Sequence, residues 1–169
     1  KVLPSQEGTG EEGDDHDHGN EDPHTWLDPT NMIVMTNEVA SRLSSIEPAH
    51  AADFEARAAA LVTKIKTLDA AFQAGLKTCE RRTIVTSHAA FQYLAKRYDL
   101  AQVTIAGLDP TNEPSPSQLA DITKLVRKEG ITTIFTEELV SPAVAKTIAR
   151  ETGTKVDTLD PIEGLSDDT

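Results

Sequence analysis

From Cys79 onward the chain alternates short β-branched runs with helical stretches, and this order narrows the available folds more than any other feature. TIVTS (83–87) is followed by a helical stretch over 89–98, then QVTIAG (102–107). Ser115-Pro116 opens a helix that Gly130 closes, and TTIFT (132–136) follows. Ser141-Pro142 opens another that Gly153 closes, before the last run, KVDTL (155–159). Strands alternating with helices predict an α/β fold: a four-stranded parallel sheet with helices on both faces and right-handed crossovers.

The segment before it is helical. Asp28-Pro29 supplies an N-cap and a first-turn proline. Met32, Met35, Val39, Leu43 and Ile46 then recur at helical spacing until Glu47-Pro48 breaks the pattern. Phe54, Ala58, Leu61, Ile65, Leu68 and Phe72 form a heptad-like seam that runs to about Leu76. A helix of roughly 28 residues would be about 40 Å long. That is long for so small a chain, and predicts a spine that packs against more protein than these 169 residues supply. Three regions result: an acidic mobile loop over 1–21, a connecting segment and spine helix over 22–78, and an α/β lobe over 79–169.

Charge separates the first region from the rest. The formal net charge is −12, and nine carboxylates lie between Glu7 and Asp28 with no Lys or Arg among them. The remainder is nearly balanced at −3. Such a surface argues against nucleic acid or an anionic membrane as partner. Residues 5–22 contain no large apolar side chain and cannot offset their own ordering entropy. A single cysteine, Cys79, excludes an internal disulfide and a cysteine-rich zinc site. No apolar run approaches a membrane-spanning length. The chain starts at Lys1 without a signal peptide, which reads as a processed chain or a piece of a longer one.

In an open parallel sheet, ligands bind beyond the carboxyl ends of the strands. His88 follows the first run, Glu137 and Glu138 follow the third, and Asp160 and Glu163 follow the fourth. An imidazole and several carboxylates would meet at one edge, a donor set suited to zinc or manganese. His24 could reach the same edge from the other side of a cleft. Each residue also has a structural reading: His88, Glu137 and Glu138 as polar groups at helix N-termini, Asp160 as a turn residue, His24 as a loop anchor. His16 and His18, within the acidic loop, could collect divalent ions weakly or belong to a solvated linker. There is no HExxH helix, GxSxG elbow or P-loop. A zinc hydrolase built on His24, His88 and Glu163 is the enzymatic alternative to a non-catalytic binding protein. An acidic module that binds a protein partner through residues 5–22 is a third class.

The ordered series DPHTWLDP, a long helix, TSHAAFQYLAKRYDL, EPSPSQL, FTEELVSPAVAKTIARETG and LDPIEGL resembles the zinc-specific branch of the metal-receptor (cluster A-I, family 9) solute-binding proteins of bacterial ABC importers. The resemblance runs from about Glu21 to Leu165. It implies a two-lobed receptor, joined by one long helix, that captures zinc outside the cytoplasmic membrane and delivers it to a membrane permease without covalent chemistry. The receptor would be periplasmic or lipid-anchored. Carried onto this sequence, the ligands are His24, His88 and Glu163; Glu137, apart from the resemblance, is the candidate to orient an imidazole from outside the ligand set. Manganese-type members usually carry Glu where His88 stands, so the histidine favours zinc over a manganese or iron receptor. The family's first ligand histidine lies well upstream of the DPHxW motif, and no histidine precedes His16 here. The chain therefore resembles a C-terminal-lobe fragment.

Overall fold

The computed structural model describes residues 21–109, 111, 114–137 and 141–164. The acidic segment with His16 and His18, and Glu138, lie outside the described residues. The chain divides into two compact units, one of residues 25–79 and the other of residues up to His24 together with those from Glu80 onward.

The first unit is a helical pair preceded by a single 3-10 turn, Thr25–Leu27. Helix α1 spans Pro29–Ile46, capped by the Asp28 side chain, which accepts from Thr30 N. Helix α2 spans Ala51–Leu76, 26 residues, or about 39 Å. Along it only Ile65 is buried, while Leu61 and Leu68 of the seam are exposed. Val34, Met35, Val39, Leu43 and Ile46 of α1 are exposed as well. No helix among the described residues is long and apolar enough to cross a membrane.

The second unit holds a four-stranded, all-parallel sheet: β1 (Thr83–Thr86), β2 (Ala101–Thr104), β3 (Thr133–Thr136) and β4 (Lys155–Thr158). Helices α3 (Gln92–Arg97), α4 (Pro116–Lys128) and α5 (Ala143–Thr152) connect them in turn. The strand order is β2-β1-β3-β4. The chain thus adds β2 on one side of β1 and returns to add β3 on the other. The order of strand addition reverses between β1 and β3, the switch point where open α/β sheets offer a crevice. Val85 and Ile134 sit at the centre with no exposed surface, packed with Ile122 and Val126 of α4 and Ala145, Ile148 and Ala149 of α5.

Strand boundaries otherwise lie within a residue of the sequence expectation, and two boundaries differ from it by three residues. QVTIAG reads as a strand over 102–107, but β2 ends at Thr104. Its hydrogen bonding runs on regardless, because Ile105 N and Ala106 N donate to Thr86 O and Ser87 O. The helix expected over 89–98 starts at Gln92. The carbonyl of His88 accepts from Thr86 Oγ1 (2.8 Å) and Gln102 Nε2 (3.1 Å), and Ala89 N donates to Gly107 O. These bonds hold residues 88–89 against the ends of β1 and β2 and delay the helical ladder.

Helix α4 carries a complete capping box. Ser115 Oγ accepts from Gln118 N, and Gln118 Oε1 accepts from Ser115 N. Ser115→Ala is expected to lower stability by about 1 kcal/mol. The check is a denaturant midpoint that falls with an unchanged slope. An unmoved midpoint would show that the cap contributes nothing.

Candidate metal centre

The carboxyl end of the sheet carries the chemistry, and the switch point explains why. β1 runs into Ser87 and His88, and β3 runs into Glu137. Because β1 and β3 are hydrogen-bonded neighbours, the two side chains meet although 49 residues separate them. Glu137 Oε1 accepts from His88 N at 3.2 Å, and Glu137 Oε2 lies 2.5 Å from His88 Nδ1. The second contact is close but not aligned for an N–H···O bond, so it acts as a charge contact. Both groups are buried, as is Gln102, whose amide bridges Thr86 and the His88 carbonyl. The backbone of His88 is therefore held at its N–H and at its carbonyl.

His24 enters through the short segment Asp22-Pro23-His24. Asp22 Oδ1 accepts from His24 N (2.9 Å) and lies 2.6 Å from His24 Nδ1. The Asp22 carbonyl accepts from Tyr93 Oη of α3 at 3.3 Å. Asp22 is fully buried and His24 nearly so.

Glu163 closes the group from beyond β4. Its Oε1 lies 2.6 Å from His24 Nε2 and 3.4 Å from His88 Nε2. The two imidazoles stand edge to face, with ring centroids 5.3 Å apart. Glu163 is the most exposed of the three, and the residue before it, Ile162, has φ +60. A β-branched side chain is strained in that region. Asp160 Oδ1 accepts from Ile162 N and braces this turn, so Asp160 serves the bend that carries Glu163.

His24, His88 and Glu163 each offer one ligand atom, all within 4.8 Å of one another, and they are the one such group among the described residues. A tetrahedral zinc with bonds near 2.0–2.1 Å places its ligand atoms about 3.3 Å apart. The observed separations of 2.6 and 3.4 Å bracket that value. His88 adds a second sign of fit. Neither of its ring nitrogens makes an aligned hydrogen bond, though both are shut off from solvent. A buried imidazole with its donors and acceptors unspent suits a metal ligand. Burial opposes a charge on His88, but the carboxylates of Glu137 and Glu163 outweigh it and raise its pKa above the ordinary 6.5.

The sequence reading singles out His24, His88, Glu163 and Glu137, which the structure brings together. It counts Asp22 only among the acidic residues and passes over Thr86, Tyr93 and Gln102. For Asp22 a local signal existed: an aspartate two residues before a histidine can bond that residue's own backbone in an Asx turn.

The family profile described as ZnuA, zinc-uptake complex component A, periplasmic, matches residues 1–169. The chain is 42% identical over 173 aligned residues to the zinc-binding lipoprotein AdcA of Streptococcus pneumoniae (strain ATCC BAA-255 / R6), covering 99% of this chain and 34% of that protein. It is 35% identical to the high-affinity zinc uptake system protein ZnuA of Bacillus subtilis (strain 168), over 86% of this chain and 46% of that one. Among solved structures, the laminin-binding protein Lmb of Streptococcus agalactiae superposes with a TM-score of 0.83 at 38% identity, covering 87% of this chain and 57% of that one. A Zn(II)-bound variant of AdcAII from Streptococcus pneumoniae gives 0.79 at 38% identity, over 88% and 54%. The chain thus spans about half or less of each relative it matches.

Proposed function

We propose that this chain, which belongs to the ZnuA family of zinc-uptake complex components, supplies most of the ligand set of an extracytoplasmic zinc receptor. The observation that carries this reading is the convergence of His24, His88 and Glu163 within 4.8 Å at the switch point of a parallel sheet. The two imidazoles bind through Nε2 as neutral bases, and the Glu163 carboxylate lowers the charge of the bound ion. Glu137 holds the His88 backbone N–H and stands against Nδ1 as a charge contact, in the place that outer carboxylates take around metal-bound histidines.

The receptor captures and releases zinc, and no bond is made or broken in a substrate. Delivery goes to the permease of an ABC importer, from the periplasm or from a lipid anchor at the outer face of the cytoplasmic membrane. The names of AdcA as a zinc-binding lipoprotein and of the family as a periplasmic zinc-uptake component support this placement. By composition, the acidic segment bearing His16 and His18 serves as a weak collector of zinc for the main site.

A competition titration tests the metal. The chain is titrated with zinc and with manganese against a chromophoric chelator. One equivalent of zinc should bind, and an excess of manganese should not displace it, because imidazole donors favour zinc over manganese. Displacement by equimolar manganese would replace the zinc reading with that of a manganese receptor.

A further inference from the structure

The paired arrangement at His24 points beyond the ligand set itself. We infer that Asp22 is the positioning residue for His24: its carboxylate fixes the ring's orientation, so that Nε2 faces the metal position before any metal arrives. The inference rests on the reading of His24 as a ligand and deepens it.

One oxygen of Asp22 does two jobs. Oδ1 accepts the backbone N–H of His24 and also lies 2.6 Å from Nδ1 of the same residue. The first contact closes an Asx turn around Pro23, whose ring restricts the backbone between the two. The second holds the ring by Nδ1 and so turns Nε2 toward Glu163 Oε1, 2.6 Å away; once a metal takes Nε2, the ring's one proton stays on Nδ1 beside Asp22. The Asp-Pro-His tripeptide therefore orients its own histidine, unlike His88, which depends on Glu137 from another strand.

The holder is itself anchored. Tyr93 Oη of α3 donates to the Asp22 carbonyl across 71 residues of sequence, and the Asp22 side chain has no exposed surface. Asp22 Oδ2 is enclosed without a hydrogen-bond partner. A buried carboxylate oxygen left unpaired is costly, and a structural turn alone would be served as well by asparagine. A carboxylate rather than an amide at this position is explained if its task is to accept the Nδ1 proton of a ring that ligates through Nε2.

The test uses the chain with Asp22→Asn and Asp22→Ala. Asparagine keeps an acceptor for the turn and removes the charge; alanine removes both. Two readouts are taken near pH 8. Nitrogen-15 chemical shifts of the His24 ring, taken without metal in a Glu163→Ala background that removes the competing carboxylate at Nε2, report the hold of Asp22 on Nδ1, and chelator competition in the chain with Glu163 reports zinc affinity. With Glu163→Ala alone the proton should sit on Nδ1, and adding Asp22→Ala should lose that preference. Zinc affinity should fall 10- to 100-fold in Asp22→Ala and by a smaller factor in Asp22→Asn.

An unchanged His24 tautomer when Asp22→Ala is added would overturn the inference, and so would zinc affinity within threefold of the parent in both variants. Should Asp22→Ala fail to fold, an affinity in Asp22→Asn equal to the parent's overturns it alone. A parent that binds no zinc would sink the proposed function instead. The tautomer measurement needs no metal and still judges the positioning role.

Discussion

Replacing His88 by alanine is expected to weaken zinc binding by more than about 100-fold, since losing an outer partner of a ligand already costs 10- to 100-fold and His88 is proposed as a direct donor. The side chain is 1% exposed and its Nε2 faces Glu163 at 3.4 Å, so no neighbouring group can slide in to replace it. Removing it also leaves the Glu137 carboxylate buried beside a cavity, which lowers stability. His88→Gln separates the two effects, because it fills the space and offers Glu137 an amide while removing the imidazole. Both variants should lose zinc in chelator competition, and His88→Gln should unfold nearer the parent's temperature. Zinc affinity within tenfold of the parent in His88→Gln would remove His88 from the ligand set.

The second large effect is one of pH, and it acts with opposite signs on metal and fold. His88 must be neutral to ligate, while Glu137 and Glu163 raise its pKa above 6.5. Below that raised value a proton competes with zinc for the ring. Apparent affinity should then fall by about tenfold per pH unit for each competing proton. The metal-free fold behaves the other way. Its gain from a charged His88 beside two carboxylates is fully present below about pH 6.5 and is lost as the pH rises through the raised folded value. Zinc titrations from pH 7.5 down to 5.5 should show the loss of affinity. A flat profile over that range would exclude histidine ligation.

Much of the fold is legible because its signals are local. Ser115-Pro116 announces α4, and Gly153, at φ +76, ends α5 where only a residue free of Cβ strain is comfortable. The late start of α3 is not local. It depends on Gln102, fourteen residues further on, holding the His88 carbonyl. The ends of strands are legible as places for ligands, since the rule for parallel sheets concerns edges rather than particular contacts. What the residues themselves could not show is that β3 would lie against β1 and β4 against β3, which brings Glu137 and Glu163 to the same histidine. Asp22 was obscured by its surroundings: in a run of nine carboxylates, nothing in composition sets it apart as the buried one among those described.

The distances along the chain between His24, His88 and Glu163, 64 and 75 residues, have a consequence for the order in which the protein assembles. An ion held by all three closes two long loops at once, and such closure cannot precede pairing of β1 with β3. Metal capture at the proposed site would therefore be a late event that reports on a finished sheet. The bound ion then acts as a staple across three distant stretches of chain. With free zinc at 100 times its dissociation constant, the folded form gains about 2.7 kcal/mol over the unfolded one. Loading and resistance to unfolding would rise and fall together, so a receptor that has given up its ion is also the form most open to proteolysis.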